Sequence, residues 1–224
     1  LAMGMNDERH NNNNNNGNPF RTSLPQLLAI VYRQMRYPPD FTFAPDDEDE
    51  AEEEIYRAEL RKLNQRLVKV APDVCLGFLC EALANLPMPI STSTMPDVEA
   101  ALRMVFHYSE GIRPPPGLKV VMKNVTFRSI LVALHNSDIT SHPHSEVLML
   151  YYDLAVRYFP IFKDQPELLP SFLGAISGPN GLQHANPRVT SRSCYLLLKL
   201  VKSLVSDMRP YVETAVTGIQ GLLS

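Results

Sequence analysis

The chain has 224 residues, 45% of them hydrophobic, and 21 Lys and Arg against 24 Asp and Glu for a formal net charge of −3, the composition of a folded chain of one or two domains. No apolar run approaches the roughly 20 residues of a membrane-spanning helix and no charged-then-apolar leader opens the sequence, so an intracellular protein with no membrane partner is expected. Three cysteines, Cys75, Cys80 and Cys194, are odd in number and lack framework spacing; they are expected as buried thiols.

Residues 1–22, with their run of six asparagines, have little to bury and are expected to be a disordered segment that includes a tag remnant at its start. From Ser23 to the end, at residue 224, helical periodicity dominates and no period-two strand stands out. The pattern predicts nine helices, at about 23–36, 48–70, 72–86, 96–110, 118–135, 143–159, 166–177, 187–207 and 209–223. Proline in the first helical turn costs little, because its missing N–H has no partner there anyway. Read as start markers, Pro25, Pro72, Gly117, Pro166 and Pro210 form one series, and Pro45, Pro96, Pro143 and Pro187 a second. Two interleaved series with a common period of about 40–47 residues are the signature of stacked helix pairs of the HEAT or armadillo type. The expected fold is all-α: an α-solenoid superhelix of about four helix pairs plus a terminal helix, each pair burying its faces against the next.

The run PDDEDEAEEE at 45–54 holds eight of the 24 acids, and without it 21 bases face 16 acids. Carboxylates at a helix start complement the dipole and its free N–H groups, and Glu53 is placed to pair with Arg57 one turn on. A contact with a basic partner, or repulsion of nucleic acid from that edge, is the functional alternative. RAELRKLNQR at 57–66 spreads its bases around the helix and forms no single stripe. His142 and His144 in SHPHSE have no cysteines at zinc-ligand spacing. GPNGLQHANP lacks the lysine and hydroxyl residue of a phosphate loop, and no nucleophile–base signature is present. No metal, cofactor, catalytic residue or small-molecule substrate is expected.

NPRVTSRSCYLLLKLVKSL, residues 186–204, combines an oily helix with a basic edge. At about 100° per residue, Arg188, Arg192, Tyr195, Lys199 and Lys202 share one face, while Val189, Leu196, Leu197, Leu198, Leu200, Val201, Leu204 and Val205 cover most of the remainder. The four cations extend over about 20 Å and make a candidate track for RNA phosphates, whose neutralisation drives binding by counterion release. Structural alternatives stand beside this reading. Arg192 can pair with a carboxylate of the neighbouring repeat. Arg188 sits at the positive end of the helix dipole and calls for an anion or a local carboxylate. Lys199 and Lys202 can be solvated, and Tyr195 can pack between repeats.

Three stretches together, YRQMRYPPDFTFAPDDEDEAEEEIYRAELRKL (32–63), the basic helix at 186–204 and MRPYVETAVTGIQGLL (208–223), resemble the exportin-T family of karyopherins. The resemblance runs from about Ser23 to the end. It departs at Thr190, where a basic residue is expected, and at Glu53, where an apolar one is expected. It implies a non-enzymatic portion of a longer export receptor that carries tRNA through the nuclear pore, contacts nucleoporins and shuttles between nucleus and cytoplasm. It further implies that Ran-GTP is embraced by amino-terminal repeats outside this chain, and that tRNA is held by basic inner surfaces reading its shape, since the deep groove of duplex RNA is closed to side chains. PELLPSFLGAI followed by NPRVTSR matches the outer-helix, turn, inner-helix order of a HEAT repeat, which directs the basic strip inward. A HEAT scaffold that binds only proteins is the alternative.

Overall fold

The computed structural model describes residues 19–44, 47–113 and 116–211. The expected disordered segment up to residue 18, Pro45 and the predicted last helix beyond Tyr211 lie outside the described residues. The described residues form an all-helical HEAT-type solenoid without strands.

Ten α-helices follow in order: α1 Pro19–Gln34, α2 Glu48–Val70, α3 Pro72–Ala84, α4 Met95–Gly111, α5 Gly117–Val121, α6 Val125–His135, α7 Ser145–Arg157, α8 Ile161–Asp164, α9 Leu168–Ser177 and α10 Pro187–Ser203. Local chemistry sets most of the starts. Asp47 accepts the Glu50 N–H at 3.1 Å and caps α2, Pro72 occupies the first turn of α3, and Asn186 caps α10 ahead of Pro187. The histidines of SHPHSE serve the start of α7. His142 Nδ1 accepts the His144 N–H at 3.1 Å, and His144 Nδ1 accepts the Glu146 N–H at 3.3 Å. Burial holds both imidazoles below their ordinary pKa, which keeps these nitrogens free to accept.

Three readings need correction. Pro25 lies inside α1 and does not start it. The helix expected at 118–135 is broken, because the Asn124 side chain accepts the Phe127 N–H at 3.0 Å and opens a new helix there. Glu53 does not hold Arg57, which turns instead to Glu99 on α4, 2.6 Å away.

The helices stack in two rows. One row runs α1, α3, α6, α9; the other runs α2, α4, α7, α10, each member packed on the next. Paired residues match early turns with early turns and late with late, so the second row is parallel. Between the rows lies a continuous core that includes Leu102, Val105, Phe127, Leu131, Leu154 and Tyr158. The Tyr158 hydroxyl reaches the Val105 carbonyl at 3.0 Å, and Phe127 packs edge-on to its ring with centroids 5.0 Å apart. This satisfies a buried polar tip while the ring fills the space between α4 and α6.

Every junction of the second row also carries an ion pair. Glu99, fully buried, receives Arg57 from α2 at 2.6 Å and Arg103 from its own helix at 2.6 Å. Glu110 on α4 receives Arg157 of α7 at 2.6 Å. Glu146 and Asp153 of α7 face Arg188 and Arg192 of α10.

Candidate nucleic-acid interface

The row geometry divides the basic strip of α10. Arg188 and Arg192 border an open groove of about 780 Å³ between α7 and α10, together with Arg103, Glu146, Asp153 and Tyr195. Lys199 lines a different hollow of about 610 Å³ at the late turns of the helices, beside Arg113, Arg157 and Glu110. Lys202 is exposed and forms no salt bridge among the described residues. A common helical face therefore does not place the four cations at a common site.

The two arginines have partners. Arg192 donates to Asp153 through Nε at 3.1 Å and through a second nitrogen at 2.5 Å, and its guanidinium lies 5.4 Å from the Tyr195 ring centroid. This is the neighbouring-repeat pairing that stood as the structural alternative for Arg192. Arg188 lies 3.0 Å from Glu146 Oε1. That oxygen is nevertheless buried without a hydrogen bond, so the contact is one of charge without directional bonding. Burial raises the Glu146 carboxyl above its usual range, against the opposing pull of Arg188 and Arg103. With three arginines against two carboxylates along its walls, the groove is close to charge balance.

A second concentration of charge lies at the far end of the row. Lys62, Arg66 and Lys69 of α2 stand at positions i, i+4 and i+7, which form one helical stripe, and they line a hollow of about 250 Å³ with Arg113. Among the described residues, Glu110 is the only carboxylate in that lining. RAELRKLNQR by itself does not show this stripe; Lys69, three residues beyond Arg66, completes the spacing. Arg113 had no local signal at all. It reaches the stripe because Gly111 lets α4 run close to α2: a Cβ on Gly111 would stand 2.6 Å from Val68 Cβ and 2.7 Å from the Gln65 carbonyl oxygen.

Cys194 also departs from expectation, for it is exposed while Cys75 is buried. It lies on the flank of α10 that carries exposed Tyr195 and Leu198. Among the described residues, no group of three or more His, Cys, Asp or Glu side chains is placed to hold a metal ion.

The sequence profile of the Exportin-T family matches residues 5–224. The chain belongs to the Exportin-T family. Human Exportin-T is 28% identical over 206 residues, covering 91% of this chain and 21% of the human protein. Mouse Exportin-T is 28% identical over 207 residues, with 91% and 22% covered, and Arabidopsis thaliana Exportin-T is 28% identical over 207 residues, with 89% and 20% covered. This Exportin-T segment thus spans about a fifth of the length of those relatives. Its two-row stack, with cations at both ends of the second row, is the architecture to which any function must be fitted.

Proposed function

We propose that this Exportin-T segment is part of a nuclear export receptor that binds tRNA cooperatively with Ran-GTP, carries it through the nuclear pore past nucleoporins, and shuttles between nucleus and cytoplasm without catalysing a reaction. Family membership supports the receptor role. The observation that carries the RNA reading is the exposed cationic edge of α10, on which Lys199 and Lys202 have no carboxylate partner among the described residues. In this reading Arg188, Arg192, Lys199 and Lys202 meet backbone phosphate. The two lysines do so freely, whereas the arginines share themselves between Glu146, Asp153 and the ligand. Guanidinium groups suit that double role, because their five donors are not exhausted by one carboxylate.

A second reading has one observation in its favour. If the Arg188–Glu146 and Arg192–Asp153 pairs serve only to join α7 to α10, this segment is a scaffold for protein partners. Salt dependence separates the two. In the full receptor, Lys199→Ala and Lys202→Ala should each flatten the log-affinity against log-salt line for tRNA by somewhat under ~1 unit. An unchanged slope in the variant lacking all four cations removes the strip from the RNA contact.

A further inference from the structure

The hollow between the late turns of α2 and the end of α4 has a feature that the α7–α10 groove lacks, namely uncompensated charge. Lys62, Arg66, Lys69 and Arg113 are all exposed and converge on one space of about 250 Å³. Arg66, Lys69 and Arg113 form no salt bridge among the described residues, and Lys62 has only a surface contact with Glu59, 2.6 Å away, in which both side chains are more than half exposed. Glu110, the carboxylate of the lining, is already engaged. It accepts from Gln65 at 2.5 Å and from Arg157 at 2.6 Å, and lies 2.7 Å from His107 Nδ1. Partial burial pushes the Glu110 carboxyl up, yet the hydrogen bonds and charges of His107 and Arg157 outweigh it and leave it below the usual range.

Like charges gather here because α2 and α4 both end at this point, and the free carbonyls at helix C-termini favour nearby cations. Half-charges on two helix ends, with the exposed Glu59 beside Lys62 and Arg66, do not neutralise four full ones. The composition of the lining then narrows the ligand. Among the described residues that line it, Lys62, Gln65, Arg66, Lys69, Glu110, Gly111 and Arg113, none has an aromatic or apolar side chain. A bound protein segment draws most of its affinity from desolvated apolar or aromatic anchors, and unstacked single-stranded bases draw theirs from a stacking platform. A phosphodiester backbone on a rigid duplex needs neither. The hollow also opens toward the strip on α10, because the adjoining space of about 610 Å³ shares Glu110 and Arg113 with it and ends at Lys199.

We propose that Lys62, Arg66, Lys69 and Arg113 form a binding site for the phosphate backbone of base-paired RNA, continuous through Arg113 with Lys199. The site rests on the reading of the chain as an RNA-carrying segment, and extends it from one edge of one helix to a track across the row. At interaxial spacings of 8–10 Å, that row measures about 24–30 Å from α2 to α10.

The test uses the 224-residue chain with a labelled tRNA transcript, titrated by fluorescence anisotropy from low to physiological salt. The K62A/R66A/K69A/R113A variant should bind at least tenfold more weakly at low salt, with a slope of log affinity against log salt reduced by about 3 units. A charge-matched control, R33A/K119A/K123A/R209A, removes four exposed cations elsewhere and should retain most of the slope. Circular dichroism melts of both variants should match the parent. If the parent binds tRNA and the first variant binds it with the same slope, the site is refuted while the RNA reading stands. Equal losses in the two variants refute it as well, since net charge would then be the cause. If poly-glutamate of equal charge competes as well as duplex RNA, the occupant is an acidic protein and the RNA assignment is wrong. A parent chain that binds no tRNA at low salt refutes this site as one that grips RNA within the segment, while the receptor role belongs to a longer protein, 21% of which is covered here in the human relative, and is not overturned by that result.

Discussion

Glu99→Ala tests how the second row of helices is held together. The Glu99 side chain is fully buried and Arg57 is 3% exposed. The carboxylate accepts from Arg57 at 2.6 Å and from Arg103 at 2.8 and 2.6 Å. Arg103 is 22% exposed and can swing to water. Arg57 cannot, because its guanidinium is seated 3.5 Å from the Tyr37 ring centroid and one of its terminal nitrogens already lacks a hydrogen-bond partner. Removing the carboxylate therefore strands a desolvated cation, which costs about 3–5 kcal/mol. That is a large share of the roughly 5–15 kcal/mol available to a folded domain. Replacing both partners removes the stranded charge, so R57M/E99M should be clearly more stable than E99A, within about 1–2 kcal/mol of the parent. The assay is urea denaturation followed by far-UV circular dichroism, with linear extrapolation. An E99A loss under about 1 kcal/mol, or a double variant no more stable than the single one, refutes the idea that α2 and α4 depend on this pair.

Three other outcomes follow from the same packing. Burial lowers the His135 pKa from 6.5 to about 4, so the unfolded chain binds its proton first, and stability falls by up to about 3 kcal/mol as pH drops from 6.5 to 4. His135 and the Tyr151 hydroxyl are 2.8 Å apart; H135F/Y151F should flatten that acid slope, and a double variant with the parent's slope excludes His135 as a source. Gly111→Ala forces a Cβ against Val68 and the Gln65 carbonyl, and should cost about 1–3 kcal/mol by overpacking, read as a lowered melting temperature; an unchanged melt shows that α2 and α4 separate freely. Cys194 is exposed and Cys75 is buried, its thiol pushed up to about 12 by burial and then by the nearby Asp73 charge. Cys194 should react promptly with a thiol reagent in the folded chain while Cys75 waits for unfolding, and equal rates refute that difference.

Helix identity was written locally, in apolar periodicity, in Asp47 and Asn186 as caps, and in Pro72 and Pro187 as first-turn residues. These act within one turn of chain, so the sequence alone determined the elements, the near-constant repeat and hence the stacked all-helical class. Asn124 was equally local, yet the apolar pattern ran through it and hid the break it makes before α6. Partnership was another matter. Glu53 is the near neighbour of Arg57, but the pair that forms is with Glu99, 42 residues away, because a buried guanidinium needs a carboxylate in the same dry interior. One helical face carried Arg188, Arg192 and Lys199, yet the parallel row directs the arginines to Asp153 and Glu146 and leaves the lysine in another hollow. Arg113 joins Lys62, Arg66 and Lys69 only through the close approach at Gly111. Which charges are neutralised and which are left for a ligand depends on distances between residues some 40–50 positions apart, and only the packing of one repeat on the next sets those distances.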